Sequence, residues 1–273
     1  MSPLWRDRIQ VFLSPQRVDL VRLERGIKQK QAERQEAACE PASDLPAWGP
    51  PLVQLKQMIA NRAGAEIVVL ISNHFVRYAV IPPQSKIETP AELYAYAAFQ
   101  MREVYGERTA AWELSVSDWD PGIGAVCAAI ERGLLEGLEE LAVSHNMRLK
   151  NIEPYLTGAF DHWHKRFDNS RAWFALIETG RLCLALLENG AWRRIVNQRM
   201  LQHTVEDELL AALEREALLF SSYKEAVERV YLFAPEHPGL TLRSDCGWKV
   251  VSLQNEKPPA PPHYPHAAAT RLE

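Results

Sequence analysis

The fold turns on Ala172-Trp-Phe-Ala-Leu-Ile-Glu-Thr-Gly-Arg-Leu-Cys-Leu-Ala-Leu-Leu-Glu-Asn-Gly-Ala-Trp-Arg-Arg-Ile-Val-Asn-Gln198. Ala172 to Ile177 is an apolar run, too short for a stand-alone helix and bounded by Thr179-Gly180. Leu182 to Leu187 is a second run, closed by Asn189-Gly190, whose residues both tolerate the positive φ of a type I′ turn. Ala191 to Val196 returns as a third strand. The stretch therefore predicts a three-stranded meander with a carboxylate, Glu178, and a glycine, Gly180, at its first turn.

Outward from the meander, the chain alternates strands with helices. Downstream, Thr204-Val-Glu-Asp207 opens a helix to about Tyr223, its acidic first turn suited to the helix dipole and Val205, Leu209, Leu213 and Phe220 on one face. Arg229 to Phe233 and Trp248 to Leu253 read as strands. Upstream, Tyr155 to about Phe167 is a helix, preceded by a short strand from Arg148 to Ile152. Before that strand comes a helix, Glu131 to His145, with Leu134, Leu135, Leu138 and Leu141 inward. Thr109 to Val116 and Gly124 to Ile130 are strands around a turn at Asp118-Trp-Asp-Pro-Gly122. Thr89, Pro90 and Glu92 form a capping box that starts a helix burying Leu93, Ala97, Met101 and Val104. Glu66 to Ser72 and Phe75 to Ile81 are expected to pair with one another, after a helix carrying Leu52, Leu55, Met58 and Ile59. At the N-terminal end, Ile9 to Leu13 and Val18 to Leu23 flank Ser14-Pro-Gln-Arg17 as a hairpin. Residues 24–40 are charged and glutamine-rich, either a solvated continuation of that hairpin or a mobile loop, and Pro41 to Pro51 is a connector.

Composition excludes several function classes. Of 273 residues, 47% are apolar and 24% charged, an ordinary globular balance, and a net charge of −4 offers no electrostatic case for nucleic acid. No apolar run reaches the ~20 residues that span a bilayer. Met1-Ser-Pro-Leu-Trp-Arg-Asp-Arg8 lacks the apolar core of a signal peptide. Cys39, Cys127, Cys183 and Cys246 are widely spaced, as expected of thiols in a reducing cytosol. His162 and His164, two apart on a helix, point to different sides, and His263 and His266 lack partner ligands, so no metal site is expected. Asp118 and Asp120 read as turn residues rather than paired catalytic acids. There is no Walker-type phosphate loop and no nucleophile elbow.

The order of elements, with three segments in particular, resembles the actin-like ATPase superfamily. Arg148-Leu-Lys-Asn-Ile-Glu-Pro-Tyr-Leu-Thr-Gly-Ala159 is similar to the family's crossover between lobes. Ala175-Leu-Ile-Glu-Thr-Gly180 with Leu182 to Gly190 resembles its second phosphate hairpin, and Gln202-His-Thr-Val-Glu-Asp-Glu-Leu-Leu210 its next helix. Within the superfamily the chain looks most like the PilM-type proteins of type IV pilus systems, then the MSHA-pilus protein MshI and the cytoplasmic part of the type II secretion protein GspL. The resemblance implies an α/β, ribonuclease H-like fold in two lobes with mixed sheets and a partly truncated second lobe. The first lobe would span 1–170, with 24–51 a loop or connector inside it, the second 171–255, and 256–273 would be a disordered proline-rich tail.

The departures from the family pattern are chemical. At the first phosphate turn, Phe12 stands for the acid and Ser14 for the glycine, and Pro15 removes an N–H donor. At the second, Glu178 stands for the aspartate while Thr179 and Gly180 remain. The glycines of the adenosine strand give way to Leu232-Phe-Ala-Pro-Glu-His-Pro-Gly239, and Asn197-Gln-Arg-Met-Leu-Gln-His203 replaces a glycine pair after the third meander strand. Phosphate binding in such turns needs close backbone approach and free N–H groups. Ser14, Glu178, Thr179 and Gly180 are therefore expected to be remnants of a nucleotide site, with neither catalysis nor an ATP–magnesium cofactor. The resemblance implies an adaptor at the cytoplasmic face of the inner membrane, holding the short cytoplasmic segment of a PilN-like protein near Val68 to Ile81 and the helix from Pro90. Self-association is left open. The alternatives are a genuine ATP-dependent enzyme or kinase-like switch of the same fold, and the soluble part of a GspL-like protein with an apolar segment following Arg271.

Overall fold

β1 (Arg8–Leu13) and β2 (Arg17–Leu23) form the expected hairpin, with Val11, Leu13, Val18 and Leu20 buried on its core side. The structure, a computed structural model, describes residues 7–24, 31–60, 62–167, 171–201, 204–219, 229–243 and 245–253. Contacts divide the chain into two compact units. The first is Met1–Val76, Ala110–Glu113 and Ala129–Gly158; the second is Arg77–Thr109, Leu114–Ala128 and Ala159–Glu273.

The first unit is built on a five-stranded sheet. β3 (Gln31–Ala38) joins the far side of β2, antiparallel. β4 (Glu66–Ile71) and β8 (Arg148–Pro154) extend the sheet from β1 in parallel, giving the order β3-β2-β1-β4-β8. The run Ile67-Val-Val-Leu-Ile71 suits β4 to this place, because a strand inside a parallel array is covered on both faces. α1 (Gly49–Ile59) and α3 (Arg132–Ser144) pack on each other. A Cβ on Gly137 would lie 2.5 Å from Leu52 Cδ2, so any larger residue there would have to turn the Leu52 side chain aside. Trp48 Nε1 donates to the Glu131 carboxylate at 2.7 Å across the same contact.

The second unit repeats the pattern. β9 (Ala172–Glu178), β10 (Arg181–Glu188) and β11 (Ala191–Arg199) are the antiparallel meander, and β12 (Arg229–Phe233) and β13 (Lys249–Ser252) add in parallel beyond β9. The order β11-β10-β9-β12-β13 has the polarity of the first sheet, strand for strand. Asn189 and Gly190 have φ of 52° and 78°, as the type I′ turn requires. α5 (Val205–Leu219) buries Leu209, Ala212 and Leu213 against Trp173, Ile177, Leu182 and Leu184. Aromatic rings cover the other face, with Phe167 stacked on Tyr231 at 4.3 Å and Phe160 against Trp192 at 4.6 Å. α4 (Tyr155–Trp163) leads into this face. A three-stranded sheet, β5 (Arg77–Ile81), β7 (Ala125–Glu131) and β6 (Trp112–Val116), completes the unit with α2 (Pro90–Tyr105); two residues of β6 and three of β7 count with the first unit.

The capping box of α2 is present in both directions: Thr89 Oγ1 accepts from Glu92 N at 3.2 Å, and Glu92 Oε2 accepts from Thr89 N at 3.1 Å. Other expectations need correction. β4 and β5 are not a pair; β4 lies between β1 and β8, and β5 sits in the other sheet beside β7. In the segment 24–51, residues 31–38 are a strand that continues the hairpin, the first of the two alternatives for 24–40 rather than a loop, fixed by the β2 register and by Arg62 gripping Glu33 through two hydrogen bonds of 2.9 and 3.0 Å. Pro50 and Pro51 are the first turn of α1 rather than connector, since proline lacks only an N–H that this turn leaves unused. Val104 is 62% exposed, and the strand expected from Thr109 begins at Trp112 after a short 3-10 turn. By contacts, residues 77–109 and 114–128 group with the second unit, in which β5 lies beside β11. Phe220 and the tail 256–273 lie outside the described residues. Among the described residues, no helix is long and apolar enough to cross a membrane.

Candidate functional site

The first turn, between β1 and β2, is closed by its own bonds. Ser14 is 5% exposed; its amide donates to Arg17 O at 3.1 Å and its hydroxyl to the same oxygen at 3.0 Å. The Arg17 amide donates back to Ser14 Oγ at 3.2 Å. Pro15 has no amide hydrogen. Gln16 O accepts from Cys39 N at 2.7 Å, tying the turn to β3's end. At Phe12, the residue matched by resemblance to the family's acid, the ring meets Tyr155 edge-on at 4.9 Å, with the Arg17 guanidinium over the ring 5.6 Å from its centroid. A phosphate meets aromatic surface here and a turn whose Ser14 and Arg17 amides are committed.

At the second turn, between β9 and β10, Gly180 has φ 74° and Met200 N closes on its carbonyl at 3.1 Å. Thr179 is exposed and offers two donors, and both are taken by one carboxylate oxygen. Its amide donates to Glu236 Oε2 at 2.6 Å and its hydroxyl to the same atom at 2.7 Å. Glu236 comes from Ala234-Pro-Glu-His-Pro238, the segment after β12 that the resemblance matches to the family's adenosine strand. An internal carboxylate thus occupies the donors that an incoming phosphate would need. An ATP–magnesium group does not fit this arrangement.

Glu178 is buried, 2% exposed, beside that turn. The antiparallel register sets Glu178, Arg181 and Arg199 in one row across β9, β10 and β11, on one face of the sheet. Burial, then the charges of Arg77 and Arg199, lowers the Arg181 pKa, with Glu178 opposing. Two residues along β10 on the same face, burial pushes the Cys183 thiol well up, with Glu178 adding to it.

Of the residues picked from sequence, Ser14 belongs to the first unit and Glu178, Thr179 and Gly180 to the second, where they share one turn. Sequence reasoning missed Glu236 and the arginine row. A carboxylate replacing glycine in the adenosine segment was the one available signal for Glu236. The other candidates are structural. Asp120 Oδ1 accepts from Gly122 N at 2.7 Å and Ile123 N at 3.1 Å, an Asx turn. His162 packs edge-on to Trp163, and His164 Nδ1 bonds to Asp161 O at 2.7 Å. Among the described residues no group of three or more His, Cys, Asp or Glu could hold a metal. His263 and His266 lie outside them.

No family model matches the chain, and no curated protein matches it. Solved structures do. A chain of a PilM–PilN type IV pilus biogenesis complex superposes with a TM-score of 0.64 over 90% of this chain and 88% of its own, at 13% identity. A Bacteroides thetaiotaomicron protein of actin-like ATPase fold and unknown function gives 0.55 over 85% and 84%, at 10% identity. The cytoplasmic domain of EpsL, an inner-membrane component of the Vibrio cholerae type II secretion system, gives 0.54 over 90% and 89%, at 12% identity.

Proposed function

We propose, from an actin-like fold shared with a pilus protein and a secretion-system protein, that this chain is a non-catalytic scaffold of such a machine. It works at the cytoplasmic face of the inner membrane and assists type IV pilus or type II secretion assembly by holding the cytoplasmic segment of a PilN-like membrane protein. The observation that carries the non-catalytic part is the double hydrogen bond from Thr179 to Glu236. Phosphate binding at such a turn depends on free backbone and hydroxyl donors, and a competing carboxylate on the same chain is present at very high effective concentration. The self-bonded Ser14–Arg17 turn supports the same reading. The partner half is supported by the fold shared with the PilM–PilN and EpsL structures.

Two measurements test it. Calorimetry of the full chain with ATP and magnesium should give no binding heat, and phosphate release should stay at the buffer rate; micromolar binding with turnover would sink the non-catalytic reading. A labelled peptide copying the cytoplasmic N-terminus of the PilN-like protein encoded nearest to this gene should raise fluorescence anisotropy saturably. Failure to bind at hundred-micromolar protein overturns the partner assignment.

A further inference from the structure

A buried guanidinium without a full set of partners calls for an explanation, because leaving a charged donor unsatisfied away from water costs far more than an exposed one. Arg181 is 6% exposed, and its Nε is buried with no hydrogen-bond partner among the described residues. Arg199 stands directly opposite it on β11. Like charges facing each other across a strand pair destabilise a sheet. This pairing depends on a β-bulge between Leu186 and Leu187, which leaves Arg193 out of the ladder; simple counting from the Asn189-Gly190 turn would put Gln198 opposite Arg181. Arg77 opens β5, which lies beside β11, and its charge also acts on Arg181. Glu178, the one carboxylate in the row, and Arg77 are each already engaged in an interaction. Arg181 therefore has Arg199 and Glu178 on either side of it in the row and Arg77 close enough for its charge to act, and it is itself incompletely bonded.

We propose that Arg77, Arg181 and Arg199 form a binding site for a small phosphoryl dianion, either free orthophosphate or the terminal group of a phosphomonoester. Guanidinium is suited to this ligand because its planar fork donates to two oxygens at once. The depth of Arg181 selects a compact anion over an extended acidic segment, and a dianion leaves the group of four side chains near neutrality. The site is separate from the Thr179 donors, which Glu236 holds, and does not depend on the scaffold reading; its failure would leave that reading intact.

The test uses the full chain at constant ionic strength. Orthophosphate, phenyl phosphate and chloride are compared by thermal shift and calorimetry, with Arg181→Met and Arg199→Gln beside wild type. Both phosphates, or orthophosphate alone, should raise the wild-type melting temperature saturably where chloride does not; which of them acts identifies the source. Arg181→Met should match or exceed wild type without phosphate, since it removes a like-charge pair, and should lose the phosphate shift. Arg199→Gln, at an exposed position, should weaken phosphate binding about tenfold, the loss of one charge-assisted contact. If neither phosphate outperforms chloride, or if both variants keep the wild-type response, the site does not exist. Should Arg181→Met fail to fold, the Arg199→Gln titration decides alone.

Discussion

At the β9–β10 turn, Thr179's amide and hydroxyl both end on one oxygen of Glu236. Removing it by Glu236→Ala should cost about 1 kcal/mol in urea unfolding, the scale of exposed charge-assisted bonds. Calorimetry should still show no ATP binding, because the Ser14–Arg17 bonds and Pro15 stay in place. A variant that gains nucleotide affinity would show that Glu236 was the sole block. The thiols give a second prediction. Burial alone pushes Cys127 up to about 12, burial with the Glu178 charge raises Cys183 well above its ordinary value, and burial raises Cys39, which is only partly covered. Because the thiolate is the nucleophile, an aromatic disulfide reagent at pH 8 should titrate Cys246 first and Cys39 more slowly. Cys127 and Cys183 should react only in denaturant.

At the scale of elements, Gly124 holds the turn before β7 at φ 94°, and a Cβ there would lie 2.2 Å from Ile81 O. Gly124→Ala combines a left-handed backbone with a backbone clash, so thermal unfolding should register a loss of about 3 kcal/mol. The α2 cap gives a pH signature. Hydrogen bonds from the Glu88 and Thr89 amides hold the Glu92 carboxyl below its ordinary range. A depressed folded pKa means stabilisation that is present above the unfolded value and lost as pH falls through the folded one. Wild type should therefore lose more stability than Glu92→Gln on acidification across that window.

These elements also mark what the sequence could tell. The α2 start was legible because a capping box is a local pattern of three residue types, and the meander because Asn189-Gly190 dictates its turn. Strand partnership was not local. Nothing within Glu66 to Ile81 says that β4 inserts between β1 and β8 while β5 leaves for another sheet, although β4's unbroken apolar run fitted a parallel interior. Residues 31–38 carry charges on an edge strand, where solvent tolerates them, so composition resembled a loop. The arginine row was hidden by a bulge, a one-residue event that no periodicity announces.

Over the whole molecule, the two five-stranded sheets share one order and one polarity, and each needs its apolar layer. Leu213, wholly buried between α5 and the second sheet, tests that layer. Leu213→Ala should cost about 3 kcal/mol by urea unfolding, from lost transfer energy and the cavity left behind. A cost under half of that would mean that α5 is loosely seated on its sheet. The first unit has a further consequence, because it is interrupted in sequence by residues 77–109 and 114–128. β4 ends at Ile71, but β8, which covers its outer edge, begins only at Arg148. On a ribosome adding roughly 5–20 residues per second, that edge waits about 4–15 s for its neighbour. During vectorial synthesis the most apolar strand of the first sheet is thus an open template, and chaperone demand should peak in that interval.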